Sequence, residues 1–155
     1  LAAGGGYSPA MQALGCSYAT LGDVAAAMRW WRRGADSGYA LSMSTLGLAM
    51  IEQAALVRAD AATLARQPRE IVAKRLEQAE KEEAEARALL ESALQTGEVE
   101  ALIGIGELYY FGRGGYEQCP PMAYACYHVA AQLGSRRGRA EASAMSLAHS
   151  RAWAR

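Results

Sequence analysis

Bulky and small residues alternate along the chain at helical spacing, in register with three glycines. Gly38, Gly97 and Gly134 are each preceded by a bulky pair at eight and seven residues and by a small residue, Gly34, Ala93 or Ala130, at four residues. The bulky pairs are Trp30-Trp31, Leu89-Leu90 and Cys126-Tyr127. Because residues three and four apart share one face of an α-helix, the pattern predicts an amphipathic helix before each glycine.

A second helix is predicted after each of three glycines. A Leu-Gly or Ile-Gly pair lies eight and nine residues after Gly6, Gly38 and Gly97, as Leu14-Gly15, Leu46-Gly47 and Ile105-Gly106. A glycine on a helix face lets a neighbouring backbone approach closely. The pattern predicts about three helix-turn-helix units, at about 6–38, 39–97 and 98–134. Helix A of each unit carries the Gly pair, and helix B carries the bulky pair.

The third unit carries the fullest pattern. Its characteristic positions are Ala101, Ile105-Gly106, Tyr109, Gly112, Gly114, Ala123, Tyr127, Ala130-Ala131 and Gly134. These residues resemble the SEL-one-like repeat, a relative of the tetratricopeptide repeat. The resemblance covers about residues 6–134 of a repeat domain spanning 1–134. It departs from the pattern in unit one, which has a short turn at 21–23, and in unit two, where Gln53 stands in place of Gly112.

The resemblance implies an all-α fold, an α-solenoid of stacked helical hairpins that binds proteins or peptides. In related repeats the concave face is lined by helix A positions flanking the small glycine. Here these candidate partner-binding residues are Gln12, Cys16, Ser44, Leu48, Glu52, Ile103, Glu107 and Tyr110.

The middle unit contains an insertion. Gly38 and Gly97 are 59 residues apart, whereas the other two anchor spacings are 32 and 37 residues. Helix A is predicted to continue to a break at Gln67-Pro68, and helix B to run from about Arg69 to Gln95. Leu46, Met50, Val57 and Leu64 are predicted to face Val72, Leu76, Ala79, Ala86 and Leu90. These arms predict a coiled-coil-like helical spur at about 52–84.

The spur carries the acidic residues Glu77, Glu80 and Glu83. They fit either a solvated helix face or a docking arm for a protein partner. Residues 135–155 carry a net charge of +4, five Arg against one Glu, and are predicted to form a basic C-terminal capping helix. Within this segment Arg136, Arg137 and Arg139 are candidate contacts to RNA or an acidic protein, or simply part of a solvated cap.

Composition narrows the class of protein. Sixteen basic and sixteen acidic side chains give a net charge of zero, so no overall field favours nucleic acid or an anionic membrane. One Phe, four Pro and abundant Ala favour helix over strand. Three cysteines without C-x-x-C spacing favour neither a disulfide framework nor a zinc site, which indicates a reducing compartment. The absence of an initiating Met indicates a processed chain or a fragment, and no membrane insertion is expected.

Catalytic motifs are not found in the sequence. Gly104 and Gly106 do not complete a dinucleotide-binding fingerprint, because Tyr109 occupies the third glycine position, and no Gly-Lys-Ser/Thr follows. His128 and His149 have no carboxylate or Cys at relay or ligand spacing. No catalytic, cofactor or metal site is therefore predicted.

Three functional hypotheses follow from the sequence. The first is a non-catalytic scaffold for protein-protein interaction, a structural or assembly subunit of a larger complex, with a mitochondrial assembly as one candidate location. The second is an RNA-contacting structural protein that uses the Arg-rich tail. The third is a small hydrolase of the repeat family, although the sequence offers no nucleophile site for it.

Overall fold

The fold is built from helices alone over the part of the chain that is described. The structure, a computed structural model, describes the backbone of residues 3–153 and the side chains of residues 7–60 and 63–149. Residues 154 and 155 of the predicted capping segment lie outside it. In chain order the helices are α1 (Ala3–Thr20), α2 (Val24–Asp36), α3 (Ala40–Ala59), α4 (Ala61–Ala65), α5 (Arg69–Gln95), α6 (Ala101–Phe111), α7 (Pro120–Gln132) and α8 (Arg136–Trp153). The all-α prediction is confirmed.

Each long helix packs against the next long helix along the chain. The contacts run from α1 to α2, α2 to α3, α3 to α5, α5 to α6, α6 to α7 and α7 to α8, and α3 also contacts α6. A larger apolar cluster joins α2, α3, α5 and α6 around Trp31, Met50 and Leu90. A smaller cluster joins α6, α7 and α8 around Ile103 and Tyr127.

The predicted helix A glycines lie against the bulky residues of helix B. A Cβ atom at Gly106 would stand 2.6 Å from Cε1 of Tyr127, and one at Gly47 would stand 2.8 Å from Cγ of Leu90. A side chain at Gly15 would likewise overlap the ring of Trp31. Such separations are far inside van der Waals contact, so each glycine allows one close helix-helix approach. The sequence predicts a close approach at these glycines, and the structure adds which bulky residue each one contacts.

The insertion in the middle of the chain differs in part from its predicted form. Helix α3 ends at Ala59 and does not continue to Gln67. Asp60 interrupts it, because its carboxylate accepts a hydrogen bond from the Thr63 N–H and starts the short helix α4. Helix α5 begins at Arg69 and ends at Gln95, as the pattern predicts.

The base of the predicted spur, where it joins the rest of the protein, contains three buried residues. Ala54 on α3 and Ala79 on α5 are buried, and Glu83 has only 1% of its surface exposed. Nη2 of Arg58 donates to Oε2 of Glu83 at 2.8 Å, and Nη1 of Arg113 lies 3.7 Å from Oε1 of the same carboxylate. Arg58 belongs to the hairpin itself, whereas Arg113 comes from the loop after α6, so at Glu83 the base of the predicted spur contacts the rest of the protein.

Helix α3 is also long and apolar enough to cross a membrane, judged by length and composition only. In this structure its residues Leu46, Met50 and Ile51 are almost completely buried against other helices. The core helix of a water-soluble protein meets the same criterion, so the length and composition of α3 are weak evidence for a membrane-spanning role.

Candidate binding groove between α6, α7 and α8

Two adjoining cavities lie where α6, α7 and α8 meet, and together we call them the α6–α8 groove. The larger cavity has a volume of about 980 Å³ and the smaller about 370 Å³. Tyr110, Phe111, Met145 and Ala148 line both cavities, so the two lie side by side. The larger cavity is also lined by Gln118, Pro120, Pro121, Tyr124, Ser146 and His149. The smaller is also lined by Ile103, Glu107, Tyr127, Arg137, Glu141 and Ala144.

The groove exists because α8 is held along α7 and approaches α6 only weakly. The first half of α8 is anchored: the Gly138 N–H donates to Oγ of Ser135 at 3.0 Å, and a Cβ at Gly138 would stand 2.7 Å from Cβ of Ala130. Ala142, one turn further, is buried in the α6–α8 cluster. Beyond it, Met145 and His149 line the larger cavity instead of closing it.

The loop between α6 and α7 is fixed by contacts with α5. Gly112 ends α6 with a positive φ of 65°, a conformation that glycine adopts without strain. Tyr116 then stacks on Tyr109 with ring centroids 4.1 Å apart, and its hydroxyl donates to Oε1 of Glu91 at 2.5 Å. Nη1 of Arg87 donates to the Gly114 carbonyl at 3.3 Å. These contacts hold the loop that carries Gln118 into the groove wall.

Exposed aromatic rings form one wall of the groove. Tyr110, Phe111 and Tyr124 are 40%, 47% and 40% exposed. Tyr110 and Phe111 pack edge to face at 5.0 Å, and the Arg113 guanidinium lies 4.5 Å from the Phe111 ring centroid. Aromatic residues grouped on a surface are typical of protein-protein contact sites, since they bury much area at small entropic cost.

The smaller cavity is acidic. Burial raises the pKa of Glu107 above its ordinary value; the carboxylates of Glu141 and Glu52 add to this rise, and Arg137 and Arg113 oppose it. Within the described side chains, Glu107 forms no ion pair, although a half-buried carboxylate is normally compensated by one. The lining of this cavity carries two carboxylates, Glu107 and Glu141, against one guanidinium, Arg137, which leaves one negative charge in excess when the carboxyls are ionised.

The structure divides the predicted concave-face residues into three groups. Ile103, Glu107 and Tyr110 come together in the α6–α8 groove, with Ile103 buried at its base. Cys16 and Glu52 are exposed, and Leu48 is half-buried.

Gln12 and Ser44 are corrections to that prediction, because both side chains are buried. Gln12 accepts from the Ser42 hydroxyl at 2.9 Å and donates to Oγ1 of Thr45 at 3.1 Å, which ties α1 to α3. Ser44 donates to the Leu41 carbonyl within its own helix at 3.1 Å. These polar groups are satisfied inside the protein and do not face a partner.

The spur residues also differ among themselves. Glu77 and Glu80 are exposed, and Glu77 accepts from Lys81 at 2.7 Å on the helix surface. Glu83 is the correction here: its carboxylate is buried and paired with Arg58 and Arg113, so a partner could not contact it without disrupting these pairs.

The tail arginines lie on α8. Arg136, Arg137 and Arg139 are all exposed. Arg137 lies in the smaller cavity beside the acidic residues Glu107 and Glu141, which reduces its value as a free cation for an anionic partner. Arg136 and Arg139 are outside the groove lining.

Several groove residues were not found by sequence reasoning. Tyr124, Met145 and Glu141 contribute from α7 and α8, and none stands at a position that the repeat pattern marks. Their positions follow from how α8 lies on α7, which is a long-range packing property. The one sequence signal for this groove was the pair Tyr110-Phe111 near the end of helix A. The repeat pattern assigns neither of these aromatic residues to the core.

The described side chains outside the groove offer little chemistry. Among residues 7–60 and 63–149, no three His, Cys, Asp or Glu side chains come together as a metal-binding set. His128 is exposed and shares a hydrogen bond with Gln132. Cys126 is half-buried, and burial raises the pKa of its thiol, which opposes a nucleophilic role.

Comparison of the chain with models of known protein families gives no match, and comparison with curated proteins gives none. The SEL-one-like resemblance therefore stays an inference from the sequence pattern. The groove has to be interpreted from its own geometry.

Proposed function

We propose that this protein is a non-catalytic helical-repeat scaffold that mediates protein-protein interaction as a structural or assembly subunit of a larger complex. In this proposal α1–α2, α3–α5 and α6–α7 are three stacked units of an α-solenoid, and α8 caps the last one. The recurring contact between a helix A glycine and a bulky helix B residue supports the repeat assignment, because unrelated helix pairs have no reason to share it.

The observation that carries the function is the α6–α8 groove. It combines a preformed loop, exposed aromatic rings and two adjoining cavities, which are the features of a surface that receives another molecule. Tyrosine is enriched among the residues that dominate binding energy at protein interfaces. An unoccupied apolar surface of this kind costs solubility unless a partner covers it.

The proposal is tested by affinity purification of the tagged chain from cells that encode it, compared with the Tyr124→Ala and Met122→Ala variants. Met122 lies two residues from Tyr124 on α7, is similarly exposed at 45%, and does not line the groove, so it is the matched control. We expect Tyr124→Ala to lose specific protein partners that the wild type and Met122→Ala retain. Equal recovery by all three proteins would exclude the groove, and recovery that disappears on nuclease treatment would favour the RNA hypothesis.

A further inference from the structure

We propose that the α6–α8 groove binds a protein segment that places a lysine or arginine side chain beside Glu107 and Glu141, and an aromatic or long aliphatic side chain against Tyr110 and Tyr124. This inference rests on the proposed function, because it specifies the chemistry of the partner for the same groove. It is carried by the combination of an apolar cavity with an acidic end.

The acidic end favours a cationic side chain. The smaller cavity is lined by the carboxylates of Glu107 and Glu141 and by one guanidinium, that of Arg137. Arg113 is already engaged with the buried carboxylate of Glu83. A lysine or arginine from a partner would balance the second carboxylate of this lining, and its hydrogen bonds would be strengthened by the partly buried surroundings.

The other end favours an apolar side chain. Three aromatic side chains and a flexible thioether, those of Tyr110, Phe111, Tyr124 and Met145, line a cavity of about 980 Å³. Burying an aromatic or leucine-like side chain there removes apolar surface of both molecules from water. Met145 can adjust to the shape of the inserted group, which suits a site that receives a side chain from another protein.

The dimensions of the groove favour a chain segment over a single small molecule. The lining residues extend from 103 to 111 on α6 and from 137 to 149 on α8. At 1.5 Å per helical residue these walls are roughly 12 Å and 18 Å long. An extended segment rises about 3.3 Å per residue, so roughly four to six residues fit along the walls. Glu107 and Tyr110 are one helical turn apart, which allows one such segment to contact both.

The test uses the purified chain and a random-peptide display library. Selected peptides are synthesised and their affinities measured by isothermal titration for the wild type and four variants. We expect enrichment of peptides that combine Lys or Arg with an aromatic or long aliphatic residue. Glu107→Gln and Tyr124→Ala should each weaken binding roughly tenfold, because one loses a charge-assisted contact and the other an aromatic anchor.

Two variants serve as matched controls. Glu117→Gln removes an exposed carboxylate of the same loop region outside the groove lining, and Met122→Ala shortens an exposed apolar side chain of α7. Both should bind within about twofold of the wild type, because neither side chain faces the peptide. Unchanged circular dichroism, and a melting temperature no lower than that of the wild type in all four variants, would exclude misfolding as the cause of a loss.

Reversing the charge at position 141 tests directly whether the groove selects basic peptides. In the Glu141→Lys variant, which changes a half-exposed residue of α8, selection should shift from basic to acidic peptides. Acidic or uncharged peptides selected by the wild type, or no enrichment at all, would overturn the cationic inference. If the selected peptides bind the Glu107→Gln and Tyr124→Ala variants as tightly as the wild type, they bind outside the groove. That result would refute the proposed groove chemistry but would leave the scaffold function standing.

Discussion

Truncation of Trp31 is the strongest stability test of the helix packing. Trp31 is 7% exposed and its ring lies directly on the backbone at Gly15. A buried aromatic side chain removes 150–250 Å² from water, which corresponds to roughly 4–6 kcal/mol at about 25 cal/mol per Å². Its indole N–H has no hydrogen-bond partner within the described chain. Removing this unsatisfied donor stabilises the folded state by about 1–3 kcal/mol, which partly offsets the loss of the ring. We therefore expect Trp31→Ala to lower the free energy of unfolding by about 3 kcal/mol.

Urea unfolding followed by far-UV circular dichroism measures this loss without relying on tryptophan fluorescence. Trp31→Phe keeps a ring against Gly15 and removes the unpaired N–H, so its cost should stay below about 1 kcal/mol. The matched control is Trp30→Ala, which removes a half-buried ring beside the Arg33 guanidinium and should cost about 1 kcal/mol. A loss below about 1 kcal/mol for Trp31→Ala, or an equal loss for Trp30→Ala, would refute the register of α1 on α2.

Three other predictions address the insertion and the acidic cavity. Arg58→Ala should lower the free energy of unfolding in urea by about 3 kcal/mol and cost more than Glu83→Gln, because it leaves a buried carboxylate with one distant guanidinium; an equal or smaller cost would contradict this pairing. Burial raises the pKa of Glu107, so the folded protein holds the proton on this carboxyl more tightly than the unfolded chain does. The stabilisation from that proton is full below the ordinary glutamate pKa and is lost as the pH rises through the pKa of the folded state. Glu107→Gln should therefore flatten the pH dependence of stability in the mildly acidic range and raise stability at neutral pH, and an unchanged profile would contradict the burial. Replacing residues 60–75 by a short Gly-containing turn should preserve cooperative thermal unfolding. Replacing residues 52–84 should abolish it, because the longer deletion removes buried side chains. If both deletion variants unfold cooperatively, the base of the hairpin is not part of the core.

The helices could be predicted because they depend on local spacing, with residues that repeat at three- and four-residue intervals beside a glycine. The spacing also predicted close approach at the helix A glycines, but the structure was needed to show that Leu90 packs on Gly47 and Tyr127 on Gly106. The start of α5 also followed from a local signal, the proline at position 68, which suits the residue before a helix. Helical periodicity and the conformational effect of proline each depend on residues close together in the sequence, so both can be recognised from the sequence alone.

The features that sequence reasoning missed depend on contacts between distant residues. Burial of Glu83 requires Arg58 and Arg113, which come from 25 and 30 residues away and give no sign in the acidic run around Glu83. The end of α3 was missed because a single side chain, Asp60, caps a new helix in competition with continued helix. The groove was missed because it arises from the path of α8 along α7, and no local pattern specifies that path.

Site-specific photo-crosslinking reports what occupies the groove in the cell. A photo-reactive amino acid is placed at Tyr124 in one variant and at Met122 in another, and the crosslinked segments are sequenced by mass spectrometry after purification from cells that encode the chain. A discrete protein segment with a basic residue next to an aromatic or long aliphatic residue should be captured at position 124 and not at 122. Capture of nucleic acid, equal capture at both positions, or no specific capture at position 124 would contradict a peptide-binding groove between α6 and α8.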